Sequence, residues 1–154
     1  MDNNLKKQKY ELLTKQIAAT LSGEDNIIAK MATISCLLKQ EFSYYYWCGF
    51  YIVDENKENE LVIGPYQGTL GCLRIPFGKG VCGAAAASLE TQVVEDVHQI
   101  QNHIACDSAS NSEIVVPVFK DDKLIAVFDV DSTELASFNK VDQEYLEQIL
   151  NNSF

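Results

Sequence analysis

Two apolar runs towards the C-terminal end constrain the fold more than any other feature of the sequence. Ile114–Val118 and Leu124–Val130 are rich in β-branched residues, and five mostly polar residues separate them. Such a pair is typical of two antiparallel strands joined by a tight turn. A second pair, residues 44–53 and 60–66, has the same form around the polar segment 54–59. The two hairpins predict an antiparallel sheet at the centre of the fold.

Helical patterns surround these hairpins. Apolar residues recur at intervals of three and four over residues 4–22 and again after Glu24. An alanine-rich segment beginning near Val81 and a last segment ending near Leu150 also favour helices. We therefore predict an α+β domain, a central antiparallel β-sheet with helices packed on it. The predicted single domain covers residues 1–154, with N-terminal helices over about 4–42, the sheet and its long loops over about 44–131, and a C-terminal helix over about 140–150.

Charge and hydropathy narrow the class of protein. The chain of 154 residues has a net charge of −10, which argues against binding nucleic acid or an anionic membrane. No run of 18 apolar residues is present, and residues 1–10 contain no apolar signal core. We expect a cytoplasmic protein with neither nucleic acid nor membrane as a partner.

Three of the five cysteines lie on or next to predicted loops. Cys106 is followed by small polar residues and Glu113, so its thiol is expected on a loop that enters a strand. Cys72 falls in a short strand predicted over residues 70–76, and Cys82 follows ten residues later on the same glycine-bearing stretch. Cys82 falls in the first turn of a predicted helix, where an accessible thiol would have a lowered pKa. In a reducing compartment these cysteines are either a catalytic or redox set or inert thiols.

Metal and phosphate sites are not indicated. The histidines His98 and His103 do not have zinc-ligand spacing with Cys82 or Cys106, so we expect no metal. His103 is three residues before Cys106, close enough in sequence to influence that thiol. The Gly-Lys-Gly at residues 78–80 lacks the ending of a phosphate loop. The remaining cysteines, Cys36 and Cys48, are expected to be inert.

Two carboxylates end the last predicted strand. Asp129 and Asp131 are two residues apart, so they are expected on one face with Ile125 and Val127. They are either polar groups at a solvated strand end or acids facing a cavity. Glu113 joins them only if the hairpin loop has an odd length, if a strand carries a bulge, or if Glu113 still lies in the preceding loop. Crowded carboxyls would raise at least one pKa and provide a general acid.

Two aromatic residues share a face of the first predicted strand. Trp47 and Tyr51 are four residues apart, an even spacing that places both side chains on the same side of a sheet. Core packing and the wall of a ligand pocket are both consistent with this pattern.

Eight short segments together resemble a known family over nearly the whole chain. The chain is similar to the GAF-domain free methionine-(R)-sulfoxide reductases, so a GAF-like fold is expected. The matching segments are residues 47–51, 64–68, 72–76, 80–83, 95–98, 103–107, 110–115 and 129–132. The three cysteines and the Ser-Asn-Ser-Glu run at 110–113 are the specific part of the match, since many GAF domains only bind ligands.

The resemblance implies a role for each candidate residue. Cys106 is the nucleophile that attacks the sulfoxide sulfur, Cys72 is the resolving thiol and Cys82 is a secondary partner. Thioredoxin would reduce the resulting disulfide as an external reductant, and no cofactor is implied. The substrate-binding residues would be Glu113, Asp129 and Asp131 for the ammonium group and the sulfoxide oxygen, and Trp47 and Tyr51 for the methyl end.

Other functions remain open at this point. A GAF module that binds a small ligand without catalysis would leave the three cysteines unused. A thiol peroxidase or redox sensor would use Cys106 with Cys72, but peroxide does not need three carboxylates for its recognition. The resemblance and the apolar N-terminal helix also lead us to expect a homodimer.

Overall fold

Two helices precede the strands in a computed structural model that describes residues 1–101, 103–104 and 106–154. The helices are α1 (Asn3–Thr20), α2 (Ile27–Glu41), α3 (Gly80–Ser88) and α4 (Lys140–Ser153), with a 3-10 turn at Val97–Gln99. The strands are β1 (Trp47–Val53), β2 (Glu60–Gln67), β3 (Arg74–Pro76), β4 (Gln92–Val94), β5 (Ser112–Lys120) and β6 (Lys123–Ser132). None of the helices described is long and apolar enough to cross a membrane.

The six strands form one antiparallel sheet in the order β3-β2-β1-β6-β5-β4. One face of the sheet packs against α1, α2 and α4 around the aromatic residues Phe42, Phe50 and Phe128. The other face packs against α3 and carries Trp47 and Tyr51. The predicted α+β class, with helices packed on a central antiparallel sheet, is therefore confirmed.

A buried polar network fixes the helical layer. Lys6 of α1 and Asp142 of α4 form a buried ion pair, with Lys6 Nζ 2.6 Å from Asp142 Oδ2. The hydroxyls of Tyr10 and Tyr44 both donate to Asp142 Oδ1 at 2.8 Å. The backbone N–H of Asn139 donates to Asp142 Oδ2, which completes the capping box of α4. Every side of this carboxylate is thus occupied by a donor.

A bulge sets the alignment of β5 with β6. Lys120 pairs with Lys123 around a two-residue turn, but the register shifts so that Val118 pairs with Ala126. Ile125 is the extra residue, and it packs against the helical face rather than beside Val127. The bulge was one of the arrangements predicted for this hairpin, whereas the expected placement of Ile125 beside Val127 is wrong because the bulge reverses the alternation there.

Two predicted strands are shorter than the sequence suggested. The aromatic run from residue 44 becomes strand only at Trp47, because Tyr44 and Tyr45 turn into the helical layer, where their hydroxyls bond Asp142 and Tyr10. Leu70–Leu73 precede β3 as a loop that carries Cys72 over the sheet.

Candidate active site

A small cavity lies between the sheet and α3, where the long loops of the chain converge. All the predicted site residues except Cys72 border it, and they are Trp47, Tyr51, Cys82, Cys106, Glu113, Asp129 and Asp131. The space open to the centre of a water molecule is about 30 Å³. That volume holds roughly two water molecules.

Cys72 and Cys106 form a disulfide at the rim of this cavity. Their Cα atoms are 5.3 Å apart, within the range that a disulfide requires. Both residues are partly exposed. The disulfide joins the loop before β3 to the loop before β5, and it brings together the two cysteines to which the family resemblance assigns attack and resolution.

Cys82 lies apart from this disulfide as a buried free thiol. Burial raises its pKa well above the ordinary value, and the nearby charge of Asp129 raises it further. The sequence expectation of a lowered pKa required an accessible thiol. The first turn of α3 instead faces the core, so desolvation overrides any effect of the helix terminus.

Three carboxyls meet on the cavity side of the sheet. The bulge in β6 places Glu113 directly opposite Asp131, and Asp129 is opposite Val115. Glu113 and Asp129 are each only 5% exposed, and Asp131 is partly buried. Of the two readings of these acids, the cavity-facing one is therefore the one observed.

Burial raises the pKa of all three carboxyls. For Glu113 the next cause is the charge of Asp131, for Asp129 it is the charge of Glu113, and for Asp131 it is the charge of Asp129. Acids with raised pKa values hold protons at a pH where an exposed carboxyl has lost its own. The cluster can therefore act as a proton donor near neutral pH.

No permanent cation balances this cluster among the described residues. His103 Nε2 is 3.5 Å from Glu113 Oε2, but burial lowers the pKa of His103 and so favours the neutral imidazole. The contact observed for His103 is with Glu113, and its predicted influence on the Cys106 thiol stays a prediction. Asp129 Oδ1 is buried without a hydrogen-bond partner in the described part of the chain. A buried acceptor left unpaired is costly, so this position favours a ligand that brings a donor.

The aromatic wall is both core and cavity lining. Trp47 stacks between Tyr51 and Tyr66, with ring centroids 5.7 and 5.1 Å away. Its Nε1–H donates to the Thr69 carbonyl at 2.8 Å, which ties the wall to the loop that carries Cys72. A pocket for an apolar group therefore lies next to the acids.

Two charged residues at the site were not predicted to belong to it. Asp107 accepts hydrogen bonds from Thr69 Oγ1 at 2.6 Å and from the Tyr46 hydroxyl at 3.0 Å, so it connects the two loops beside the disulfide. Lys79 is exposed at the start of α3 and borders the cavity. The Gly-Lys-Gly pattern is the one signal in the sequence for Lys79, and it bears on a phosphate loop rather than on a cavity of this kind.

The acids and Cys82 also have the arrangement of a possible metal-ligand cluster. The Sγ of Cys82 and carboxylate oxygens of Glu113 and Asp129 lie within 4.8 Å of one another. A protonated amine could satisfy the same acceptors as a metal ion, so the expected absence of a metal stays a prediction.

Comparison with known proteins gives this geometry a family context. A family model described as GAF domain matches residues 38–152. The chain is 41% identical over 145 residues to the free methionine-R-sulfoxide reductase of Escherichia coli strain K12, covering 94% of this chain and 86% of that protein.

Two solved structures are also close to the fold. The reduced form of the Staphylococcus aureus reductase fRMsr superposes with a TM-score of 0.88 at 47% identity, covering 94% of this chain and 92% of that one. The free methionine-R-sulfoxide reductase of Neisseria meningitidis, solved with its substrate, has a TM-score of 0.88 at 45% identity and covers 94% and 87%. Both matches therefore cover nearly the whole of this chain.

Proposed function

Because the chain belongs to the GAF-domain family of free methionine-R-sulfoxide reductases, we propose that it reduces free L-methionine-(R)-sulfoxide to L-methionine through Cys106. The observation that carries this proposal is the Cys72–Cys106 disulfide beside a cavity lined by buried carboxyls. A thiol pair alone would also suit a redox sensor, but the acids add what a sulfoxide and an amino group require.

The first step is attack of the Cys106 thiolate on the sulfoxide sulfur. Sulfoxide oxygen is a poor leaving group until it is protonated, so the step needs an acid at the site. We assign this proton to the Glu113–Asp129 pair, whose raised pKa values favour the protonated form. Thiolate, sulfoxide and one proton yield methionine and a sulfenic acid on Cys106.

The second step restores the thiol. The Cys72 thiol condenses with the sulfenic acid, which forms the Cys72–Cys106 disulfide and releases water. A dithiol protein, thioredoxin in our proposal, then supplies two electrons and two protons and is itself oxidised to a disulfide. Cys82 would enter only as a secondary partner by exchange with Cys72, since its thiol is buried and has a raised pKa.

Charge complementarity supports a free amino acid as the substrate. Glu113, Asp129 and Asp131 offer a negative cluster for the ammonium group. The Lys79 side chain and the free N–H groups at the start of α3 offer a positive rim for the carboxylate. Trp47 and Tyr51 would bind the methyl end.

The small cavity suggests when substrate enters. A volume near 30 Å³ is well below the size of methionine sulfoxide. We propose that substrate binds only after the disulfide is reduced and the two loops it joins separate. The structure with its disulfide thus corresponds to the end of the first half of the reaction.

The central experiment follows both epimers of free methionine sulfoxide by chiral chromatography. Reduced protein is mixed with the racemate, thioredoxin and its recycling system. We expect loss of the R epimer alone, no detectable turnover by Cys106→Ser, and near-wild-type turnover by Cys36→Ser. Cys36 is a suitable control because it is a free cysteine on α2, outside the residues that border the cavity.

Two outcomes would contradict the proposal. Undiminished turnover by Cys106→Ser would mean that another group is the nucleophile. Loss of neither epimer by folded protein with free thiols would favour a GAF module that only binds a ligand.

Location and assembly stay predictions. We propose a cytoplasmic protein, because the mechanism needs thiols that are repeatedly returned to the reduced state. We also propose a homodimer, which sedimentation of the reduced protein would test directly. Neither property is needed for the chemistry described above.

A further inference from the structure

Two leucines beside the disulfide are among the most exposed large apolar side chains of the described residues. Leu70 is 79% exposed and Leu73 is 70% exposed, and they lie two residues before and one residue after Cys72. Adjacent Cα atoms are about 3.8 Å apart, so both leucines lie within roughly 8 Å of Cys72 along the chain. Single exposed leucines need no explanation, but a pair on either side of a reducible disulfide does.

The loop beneath these leucines is held firmly. Ile63 N–H donates to the Leu73 carbonyl at 3.0 Å, and Trp47 Nε1–H donates to the Thr69 carbonyl. Gly71 packs so closely that a Cβ there would lie 2.7 Å from Ile63 Cδ1 and 3.0 Å from Trp47 Cζ2. Gly71 thus fixes the loop against the sheet, while the side chains of Leu70 and Leu73 are largely exposed and Leu70 also borders the cavity.

The two cysteines of the disulfide differ in the charge of their neighbours in sequence. Asp107 follows Cys106 directly, and hydrogen bonds from Thr69 and from the Ala109 N–H stabilise its carboxylate and lower its pKa. That negative charge disfavours the approach of a thiolate from the side of Asp107. The immediate neighbours of Cys72 in sequence are Gly71 and Leu73, which carry no charge.

We propose that Leu70 and Leu73 form the docking surface for the dithiol protein that reduces this disulfide, and that its thiolate attacks Sγ of Cys72. This inference rests on the proposed function only for the origin of the disulfide. Attack forms an intermolecular disulfide to Cys72 and expels Cys106 as a thiolate. The partner's second thiol then attacks its own sulfur in that mixed disulfide and expels Cys72, so two electrons pass to this chain.

The occupant of the surface is a protein of the thioredoxin class rather than a small thiol. A small thiol needs access to one sulfur and gains little from leucines on either side of it. A protein that carries its dithiol within an apolar patch would bury both leucines as it reached Cys72. Expulsion of Cys106 first also returns the proposed nucleophile directly to its thiolate form.

The test measures reduction of the preformed disulfide without any methionine sulfoxide. Oxidised protein is mixed with reduced thioredoxin or, separately, with dithiothreitol, and the appearance of free thiols is followed. For Leu73→Ser we expect kcat/KM for thioredoxin to fall about 10-fold, the effect of losing one well-buried leucine contact, with the dithiothreitol rate unchanged. For Leu70→Ser the same two reduction rates are measured, and the ratio of the thioredoxin rate to the dithiothreitol rate is compared with that of the wild type.

Leu12→Ser is the matched control. Leu12 is also 70% exposed, but it lies on α1, on the opposite side of the sheet from the disulfide. We expect it to leave both reduction rates unchanged. Equal loss with both reductants in the Leu73 variant, or no loss with thioredoxin in either loop variant, would overturn the docking surface.

A trapping experiment tests which sulfur is attacked. Thioredoxin in which the second cysteine of its active site is replaced by serine would remain attached to this chain as a mixed disulfide. We expect mass spectrometry of its peptides to find the bond at Cys72, and a bond at Cys106 would overturn that part of the proposal. Because sulfoxide is absent from both assays, a wrong substrate assignment would leave these outcomes interpretable.

Discussion

Buried carboxyls on the two sides of the sheet differ in how fully they are paired with cations and hydrogen-bond donors. In the helical layer, Asp142 is paired with Lys6 and accepts hydrogen bonds from two tyrosines and a backbone N–H. On the cavity side, Glu113 and Asp129 face each other without a permanent cation among the described residues, and Asp129 Oδ1 has no partner there.

The difference separates a structural network from a functional one. A buried charge that is fully paired holds its neighbours in one arrangement. Buried acids with too few hydrogen-bond donors lower the stability of the protein. Evolution retains such acids at sites where a bound ligand supplies the missing donors. The comparison predicts that mutations on the two sides will have opposite effects on stability and activity.

The largest expected effect is that of Asp129→Asn on activity. We expect kcat/KM for methionine sulfoxide to fall by roughly 10²–10⁴-fold, the usual contribution of a general acid, because an amide cannot supply the proton. The free energy of unfolding at pH 7 should rise by about 0.5–2 kcal/mol, since one crowded acid is removed. Steady-state kinetics and urea unfolding measure the two quantities.

Asp121→Asn is the control for this change. Asp121 is exposed in the turn between β5 and β6, so the same chemical change there should alter neither quantity. If the Asp129→Asn protein were less stable but fully active, Asp129 would have a structural role like that of Asp142. The contrast between the two sides of the sheet would then be wrong.

Asp142→Asn should lower the stability of the protein rather than its activity. It leaves the Lys6 ammonium buried without its counter-charge, and breaking such a pair costs about 3–5 kcal/mol. We expect urea unfolding to show that loss, with near-wild-type activity per folded molecule.

A double variant tests whether the unpaired Lys6 causes this loss of stability. If the unpaired Lys6 is responsible, adding Lys6→Met to Asp142→Asn should recover part of the lost stability, giving a non-additive double-mutant cycle. Strict additivity would mean that the ion pair is not what holds α1 to α4.

Counted per pH unit, the smallest expected effect is the change of stability with pH. The pKa values of Glu113, Asp129 and Asp131 are raised in the folded protein, so between pH 5 and those values the folded state binds more protons than the unfolded one. Stability should therefore decrease as pH rises, by about 1.4 kcal/mol per pH unit for each proton involved. Urea unfolding at several pH values from 5 to 8 measures the slope.

The variants sharpen this test. Asp129→Asn should flatten the slope, whereas Asp142→Asn should keep it even though the protein is less stable overall. The same slope in the wild type and the Asp129 variant would mean that Asp129 does not contribute to it in this range.

Local patterns predicted the parts of the fold that depend on neighbouring residues. The two hairpins follow from apolar runs around polar turns, and the shared face of Trp47 and Tyr51 follows from the period of a strand. Counting residues limited the alignment of Glu113 with Asp131 to three arrangements, one of which is the bulge observed.

Features that depend on distant segments were not predictable in this way. Lys6 and Asp142 are 136 positions apart, and no local pattern relates them. Whether Cys82 is accessible depends on how α3 lies on the sheet, so a helix-terminus argument that required an accessible thiol could not predict the raised pKa of this buried one. The roles of Asp107 and Lys79 likewise appear only once the loops meet.

The bulge at Ile125 has a consequence for how this hairpin can change in evolution. Between Glu113 and Asp131 the chain has an odd number of residues, and a flat hairpin with a two-residue turn needs an even number to keep them opposite. Ile125 is the surplus residue, so a deletion that removed it would straighten β6 and leave the acids aligned. The hairpin can therefore lose a residue near its turn without displacing Glu113 and Asp131 from one another, so its length can vary among relatives while the two acids keep their positions.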